Sequence, residues 1–294
     1  MREFYFKHIK PNVPAVIHNL LYRVAVKQQQ NRREVLRKQI VGYYEGQSAS
    51  PYKADAINFL KENKFSFIPY SWTQDYLEKP VKIYRENSMC YVVMDKEKKL
   101  FFKRDMDGFA VSKLFRELSM EQDVRSPHLY AGEGHIVSKG SIVADVGAAE
   151  GYFSLSAAEE AEKLFLFESD PEWIRALEAT FREYSHKVEI INMFVSNQDD
   201  NGHISLDKYF GNGEITFLKA DIEGGEPEML LGAAQLLSEK RIKKASICTY
   251  HHPSHAEEFS RLLEGYGYTV KAVPGFIPHW QPPHLLTGVL WADS

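Results

Sequence analysis

From Gly140 onward the chain alternates between short apolar β-rich runs and longer amphipathic ones. That pattern commits it to a parallel sheet covered by helices on both faces. The patterning predicts strands over 142–146, 163–168, 188–192, 215–220, 245–250, 268–273 and 285–292. Helices are predicted over 152–162, 172–184, 226–238 and 256–265. No crossover helix separates the last two strands, so they must pair antiparallel. The expected fold is an α/β doubly wound sheet that ends in a terminal antiparallel strand.

Upstream the texture differs. Residues 14–44 read as helical, with one apolar stripe at Val16, Ile17, Leu20, Leu21 and Val24 and a second at Val35, Leu36, Ile40, Val41 and Tyr44. A short helix is expected over 55–62 and an aromatic connector over 65–72. Runs at 82–85, 90–94 and 99–103 read as a small β-meander, followed by a helix over 110–122 with Val111, Leu114, Phe115 and Leu118 on one face. The expected organisation is an accessory region over 1–125, mainly helical over 1–79 with the meander over 80–104, and a ligand-binding domain over 126–294.

The net charge is -4, which argues against a nucleic-acid binder. Residues 1–45 hold nine Lys/Arg against three Asp/Glu, so the local charge is about +6 and the remainder about -10. The bland reading of this segment is a packed helix with its basic side in water. The sharper reading is weak peripheral contact with an anionic lipid surface. No apolar run approaches the ~20 residues of a membrane span, and no signal peptide is read at the N-terminus. Two cysteines, Cys90 and Cys248, cannot build a disulfide framework. A cytoplasmic setting is expected.

Chemistry-bearing residues gather where the expected strands end. Asp145-Val146-Gly147-Ala148-Ala149-Glu150-Gly151 joins the first strand to its helix. Gly147 permits the tight turn, and Gly151 is expected to let the helix approach a ligand. A dinucleotide site would carry a second glycine to cradle a pyrophosphate. An acid at Asp145 suits instead a ligand with a cationic amine, such as S-adenosylmethionine. Glu168 ends the second strand, where an acid can accept ribose hydroxyls. Met193 to Asn197, with Ser196, follows the third strand towards the adenine edge.

Lys219-Ala220-Asp221-Ile222-Glu223-Gly224-Gly225-Glu226 ends the fourth strand. Asp221 and Glu223 can orient a substrate, hold a cation or take a proton. Glu226 begins a helix, where its charge suits the dipole. The fifth strand ends in Tyr250-His251-His252-Pro253-Ser254-His255. A neutral imidazole can deprotonate a hydroxyl, and strand alternation sends only one of His251 and His252 inward. The proline- and aromatic-rich loop 274–284 is either a substrate cover or a packed surface loop.

Val143-Ala144-Asp145-Val146-Gly147-Ala148-Ala149-Glu150-Gly151, Phe167-Glu168-Ser169-Asp170-Pro171, Lys219 to Glu226, Tyr250-His251-His252 and Ser126-Pro127-His128 together resemble the FkbM family of methyltransferases. The likeness spans about residues 126–294 and does not cover 1–79. Ser169 stands where the family often has proline, and Gly225 where alanine is usual. The resemblance implies a class I, Rossmann-like methyltransferase fold and S-adenosyl-L-methionine as methyl donor. It implies cofactor contacts from Asp145, Gly147, Ala148, Gly151, Tyr152, Phe153, Glu168, Ser169, Ser196 and Asp221. His251, His252, Asp221 and Glu223 would be catalytic, one histidine serving as base. The acceptor would be a hydroxyl of a sugar, a glycan or a related secondary metabolite, as in polysaccharide biosynthesis; a divalent metal at these carboxylates and imidazoles is possible but not expected. Two other readings are a non-catalytic nucleotide- or glycan-binding module and a nicotinamide-dependent oxidoreductase. The missing second glycine and the terminal antiparallel pair argue against the last.

Overall fold

The computed structural model describes residues 15–294, with side chains from Lys27 onward except that of Lys96. The basic stretch 1–10 and the side chains of the stripe at 16–24 lie outside this description. The accessory region contributes α1 (Ala15–Tyr43), α2 (Pro51–Glu62), α3 (Gln74–Leu77), β1 (Ile83–Glu86), β2 (Met89–Val93), β3 (Lys99–Phe101) and α4 (Gly108–Glu121). Strands β1, β2 and β3 form the expected antiparallel meander. Helix α2 starts at Pro51, four residues before the expected position, because proline suits the first helical turn and Ser50 is extended ahead of it.

The second half runs β4 (Ser141–Val146), α5 (Tyr152–Ala157), β5 (Ala161–Phe167), α6 (Pro171–Thr180), β6 (Val188–Ile191), β7 (Phe194–Val195), β8 (His203–Ile204), α7 (Leu206–Phe210) and β9 (Ile215–Ala220). It continues through α8 (Glu226–Leu231), α9 (Ala234–Ser238), β10 (Ile242–Cys248), α10 (His255–Gly265), β11 (Thr269–Ala272), β12 (Ile277–Pro278), β13 (Leu285–Leu286) and β14 (Val289–Asp293). The central sheet has the order β11-β14-β10-β9-β4-β5-β6. Strand β14 runs antiparallel to both of its neighbours, β10 and β11. This order and the single reversed strand are the Rossmann-like architecture of class I methyltransferases.

Side chains alternate across the sheet. Val143, Leu164, Leu166, Phe217 and Trp291 enter one core, which also takes Cys90, Val92, Leu100 and Phe102 of the meander and Val111 of α4. Ala144, Val146, Leu218, Ile247 and Leu290 enter the other, against α8, α9 and α10. Burying one such leucine or isoleucine contributes roughly 1.5–3 kcal/mol. The second stripe of α1 is a packing surface: Leu36, Ile40 and Tyr44 are buried with Ile57 and Leu60 of α2 and with Leu285 of β13. Lys27, Arg32, Arg33 and Lys38 stay exposed. Among the described residues no helix is long and apolar enough to cross a membrane.

Several expected elements are cut short. Helix α5 ends at Ala157, because Ala161 already begins β5 beside Ser141. The expected helix 226–238 breaks at Gly232, whose carbonyl bonds Asp207 N, while the Asp207 carboxylate caps α9 at Gln235 N and Leu236 N. The expected strand 285–292 divides at Gly288, where a Cβ would meet the Pro127 carbonyl at 2.1 Å. Loop 274–284 packs on the accessory helices, with Phe276 N donating to Tyr70 Oη at 2.8 Å and Lys53 lying 4.7 Å from the Phe276 ring. It is a packed loop rather than a substrate cover.

Gly151 has φ +77°, and a Cβ there would lie 2.7 Å from Leu177 Cδ2 and 2.8 Å from Phe181 Cε2. Its smallness serves the packing of α5 on α6, not the approach of a ligand. Gly151→Ala should therefore destabilise the fold by about 1–3 kcal/mol, read from urea unfolding by circular dichroism. A midpoint equal to the parent's would contradict this account.

Candidate active site

The carboxyl ends of β4, β5, β9 and β10 open into one cavity of about 430 Å³. It lies where the chain, after laying down β4, β5 and β6 in one direction, returns to place β9 on the other side of β4. Open α/β sheets bind their ligands at such a switch point.

The cavity floor is a buried ion pair. Asp145 of β4 and Lys219 of β9 face each other across the ladder, with Nζ 2.9 Å from Oδ1. Lys219 also donates to the Gly147 carbonyl at 2.5 Å, and Ser154 Oγ donates to Asp145 Oδ2 at 2.7 Å. Burial disfavours the ammonium, but the Asp145 and Asp221 charges outweigh it and hold the Lys219 pKa above its ordinary value. Asp145 is thus already neutralised by Lys219, a commitment its sequence position did not reveal.

Above this floor sits the glycine loop. Gly147 has φ +78°, and a Cβ there would lie 2.0 Å from the Asp221 carbonyl. Gly147 N and Ala148 N both donate to the Phe167 carbonyl. Glu168 staples the loop to the end of β5, its carboxylate accepting from Ala149 N at 2.9 Å, Ser169 N at 2.8 Å and Asp170 N at 2.7 Å. A carboxylate has about four acceptor sites, so one stays open towards the cavity. Tyr152, Phe153 and Ser169 line the cavity as expected, and Ser196 does not. Ser196 is buried, and its Oγ accepts from Gln198 N, turning the next stretch of chain.

Asp221, at the end of β9, is the polar centre of the opposite wall. Tyr130 Oη donates to Asp221 Oδ2 at 2.7 Å and Tyr250 Oη to Oδ1 at 3.2 Å, while His128 Nε2 stands 3.6 Å away. Burial opposes ionisation of Asp221, but His128, Lys219, His251 and the Tyr130 bond together lower its pKa. Burial also keeps both tyrosines protonated as donors. His128 is buried so thoroughly that its pKa falls to about 4, which leaves the ring neutral.

His128 and Tyr130 owe their positions to the segment ahead of β4. Ser246 Oγ donates to the Tyr130 carbonyl at 2.6 Å, Trp291 Nε1 to the Leu129 carbonyl at 3.0 Å, and His135 stacks on Trp291 with ring centroids 5.0 Å apart. The segment is clamped against β10 and β14 by side chains of those two strands and by its own His135.

Two further acids face the cavity. Glu121, the last residue of α4, has its pKa raised by burial and by the charges of Asp221 and Glu150. Burial pushes the Glu150 carboxyl up to about 7. Glu121, Glu150, His128, Tyr130 and Tyr250 are site residues without a role assigned from sequence. Glu121 had a signal: it continues the apolar stripe of Leu114 and Leu118 at helical spacing, where a carboxylate is a misfit.

The histidine pair is divided as alternation predicts. His251 turns inward, with Nδ1 3.1 Å from Glu226 Oε1 and Nε2 3.6 Å from Asp221 Oδ1 and 3.8 Å from Glu223 Oε2. Burial disfavours its charged form, but the Glu226 contact and the Asp221 and Glu223 charges outweigh this and raise its pKa. His252 is exposed and its Nδ1 pairs with Ser254 Oγ at 2.7 Å, so it lies outside the candidate catalytic group. Glu223 keeps an exposed side chain at the cavity rim, its backbone in the left-handed region at φ +56°.

Residues 139–270 match the model of the methyltransferase FkbM domain. Over those residues the chain is similar to the FkbM methyltransferases. Among solved structures, methyltransferase FkbM from Methylobacillus flagellatus is 16% identical, with 89% of this chain and 59% of that chain covered and a TM-score of 0.46. This chain thus spans about three-fifths of that protein's length. Precorrin-6y C5,15-methyltransferase from Geobacter metallireducens is 12% identical over 53% of this chain and 82% of that one, with a TM-score of 0.38. A Streptococcus mutans protein in complex with SAH is 14% identical over 62% and 96%, with a TM-score of 0.36. No curated protein matches the chain.

The neutral state of His128 has a measurable consequence. Unfolded histidines protonate near pH 6.5, whereas this ring resists protonation down to about pH 4. Between those values the unfolded chain binds the extra proton, so this ring's contribution to stability is full above pH 6.5 and is lost as pH falls towards 4. Its imidazole resonances should remain those of a neutral ring at pH 5.5. An NMR titration midpoint near 6.5 would show that the ring is solvated.

Proposed function

We propose that this protein is an S-adenosylmethionine-dependent O-methyltransferase acting on a hydroxyl of a sugar, a glycan or a related secondary metabolite. The observation that carries the reading is the charge of the cavity. Glu168, Asp221 and Glu223 line it, Glu121 and Glu150 add two acids that burial holds towards their protonated forms until a cation enters, and the single lysine, Lys219, is already paired with Asp145. Such walls favour a ligand bearing a sulfonium and an ammonium and repel one bearing a pyrophosphate. They argue for the methyl donor over a nicotinamide dinucleotide, and the likeness to the FkbM methyltransferases supports the same choice.

The residues present fit this donor. Gly147 lets its loop lie directly against the Asp221 carbonyl, Ala148, Tyr152, Phe153 and Ser169 line the adjoining wall, and Glu168 keeps an acceptor site for ribose hydroxyls. Glu150 and Asp221 offer carboxylates to the donor's cationic groups. When bound, the donor supplies a sulfonium methyl group open to in-line attack by an oxygen nucleophile. The task left to the protein is alignment and removal of one proton. Asp221, fixed by Tyr130 and Tyr250, accepts the hydrogen bond of the acceptor hydroxyl and receives its proton as the new bond forms. The buried free cysteines, Cys90 and Cys248, fit a reducing, cytoplasmic setting.

Calorimetry should give binding of S-adenosylhomocysteine and none of NAD; the reverse would sink the proposal. Glu168→Ala should weaken S-adenosylhomocysteine by about 1–3 kcal/mol. Asp221→Asn should retain most of that binding and lose about 10²–10⁴-fold in turnover. Turnover would be followed with labelled donor and a panel of sugars, sugar nucleotides and glycolipids.

A further inference from the structure

Three carboxylates and one imidazole meet where β9 and β10 end, and their arrangement leaves a buried carboxylate oxygen without a partner. Glu226 is fully buried at the start of α8. Its Oε1 accepts from Ile222 N at 2.9 Å, but its Oε2 has no hydrogen-bond partner. Both ring nitrogens of His251 are buried, and neither makes a hydrogen bond of good geometry. Leaving a carboxylate oxygen dry and unpaired is costly. The groups nonetheless converge: one donor atom each from Asp221, Glu226 and His251 lies within 4.8 Å of the other two. Ligands bound to a first-row divalent ion at about 2.0–2.2 Å sit roughly 3–4 Å from one another, so small side-chain shifts would close the set.

We infer that Asp221, Glu226 and His251 form a binding site for one divalent transition-metal ion at the acceptor end of the cavity. Two carboxylates with one imidazole suit Mn²⁺, Co²⁺ or Zn²⁺; Mg²⁺ and Ca²⁺ favour all-oxygen sets. Glu223, whose Oε2 lies 3.8 Å from His251 Nε2, is within reach as a further ligand. Asp221 lines the cavity while Glu226 and His251 lie behind it, so an ion held here keeps its open positions towards the acceptor. A hydroxyl bound at such a position becomes more acidic. This use of the ion rests on the methyl-transfer reading; the binding of the ion does not.

The test uses the full chain, stripped with EDTA and dialysed. MnCl₂ is titrated by electron paramagnetic resonance and CoCl₂ by visible absorption. One equivalent of ion should bind per chain. Glu226→Gln and His251→Gln should each weaken it at least tenfold, and His252→Gln, one residue along and exposed, should bind as the parent does. Circular dichroism checks each variant, and if Glu226→Gln does not fold, His251→Gln and Asp221→Asn decide. Absence of stoichiometric uptake of both ions, or equal affinity in the folded variants, would overturn the site and leave a plain His251–Glu226 ion pair. Calorimetry of S-adenosylhomocysteine on the same stripped protein separates the two proposals, since donor binding without metal uptake removes only the metal.

Discussion

The buried pair Asp145–Lys219 is the interaction on which the site depends. It joins the two strands that flank the switch point, and through Lys219 it reaches up to the Gly147 carbonyl. Removing either partner would strand a charge in a dry interior, at a cost of about 3–5 kcal/mol. The glycine loop is tied to this pair through Lys219, and the first turn of α5 through Ser154 Oγ, which donates to Asp145. Such a pair adds little net stability compared with a well-packed apolar one. Its value lies in register, because only one alignment of β4 and β9 brings the two charges together.

The surroundings sort the remaining titratable groups by charge. His128 is neutral, Asp221 anionic, and Glu121 and Glu150 are held towards their protonated forms by burial. A cationic ligand entering this cavity would draw those two acids towards ionisation, so its binding would release protons to the solvent. The wall that recognises charge is therefore partly created by the ligand it recognises.

Much of the fold was legible because alternation and helical spacing register burial directly. The central strands and the antiparallel end follow from runs such as residues 142–146 and 285–292. The boundaries that failed were set by partners distant in sequence. Asp207 ends one helix and caps the next, and Pro127 decides where Gly288 must stand. Within the site, the places of Asp145, Glu168 and Asp221 at the cavity were legible because the ends of parallel strands meet there, and alternation separated His251 from His252. The neutralisation of Asp145 by Lys219 was not, since it requires the cross-strand register. His128 and Tyr130 escaped for the same reason: they precede the first strand and enter the site only because Ser246 and Trp291 hold their segment down.

Strand β14 lies between β10 and β11, although it is made after both. Until residues 289–293 have left the ribosome, β10 carries an open edge and β11 has no neighbour, while α1 and α2 lack the Leu285 surface on which they pack. An unpaired edge beside an exposed apolar surface invites association with other chains. Segments far apart in the chain must therefore wait for each other, and a chain lacking residues 289–293 would carry a nearly complete ligand cavity on a sheet without its reversed strand.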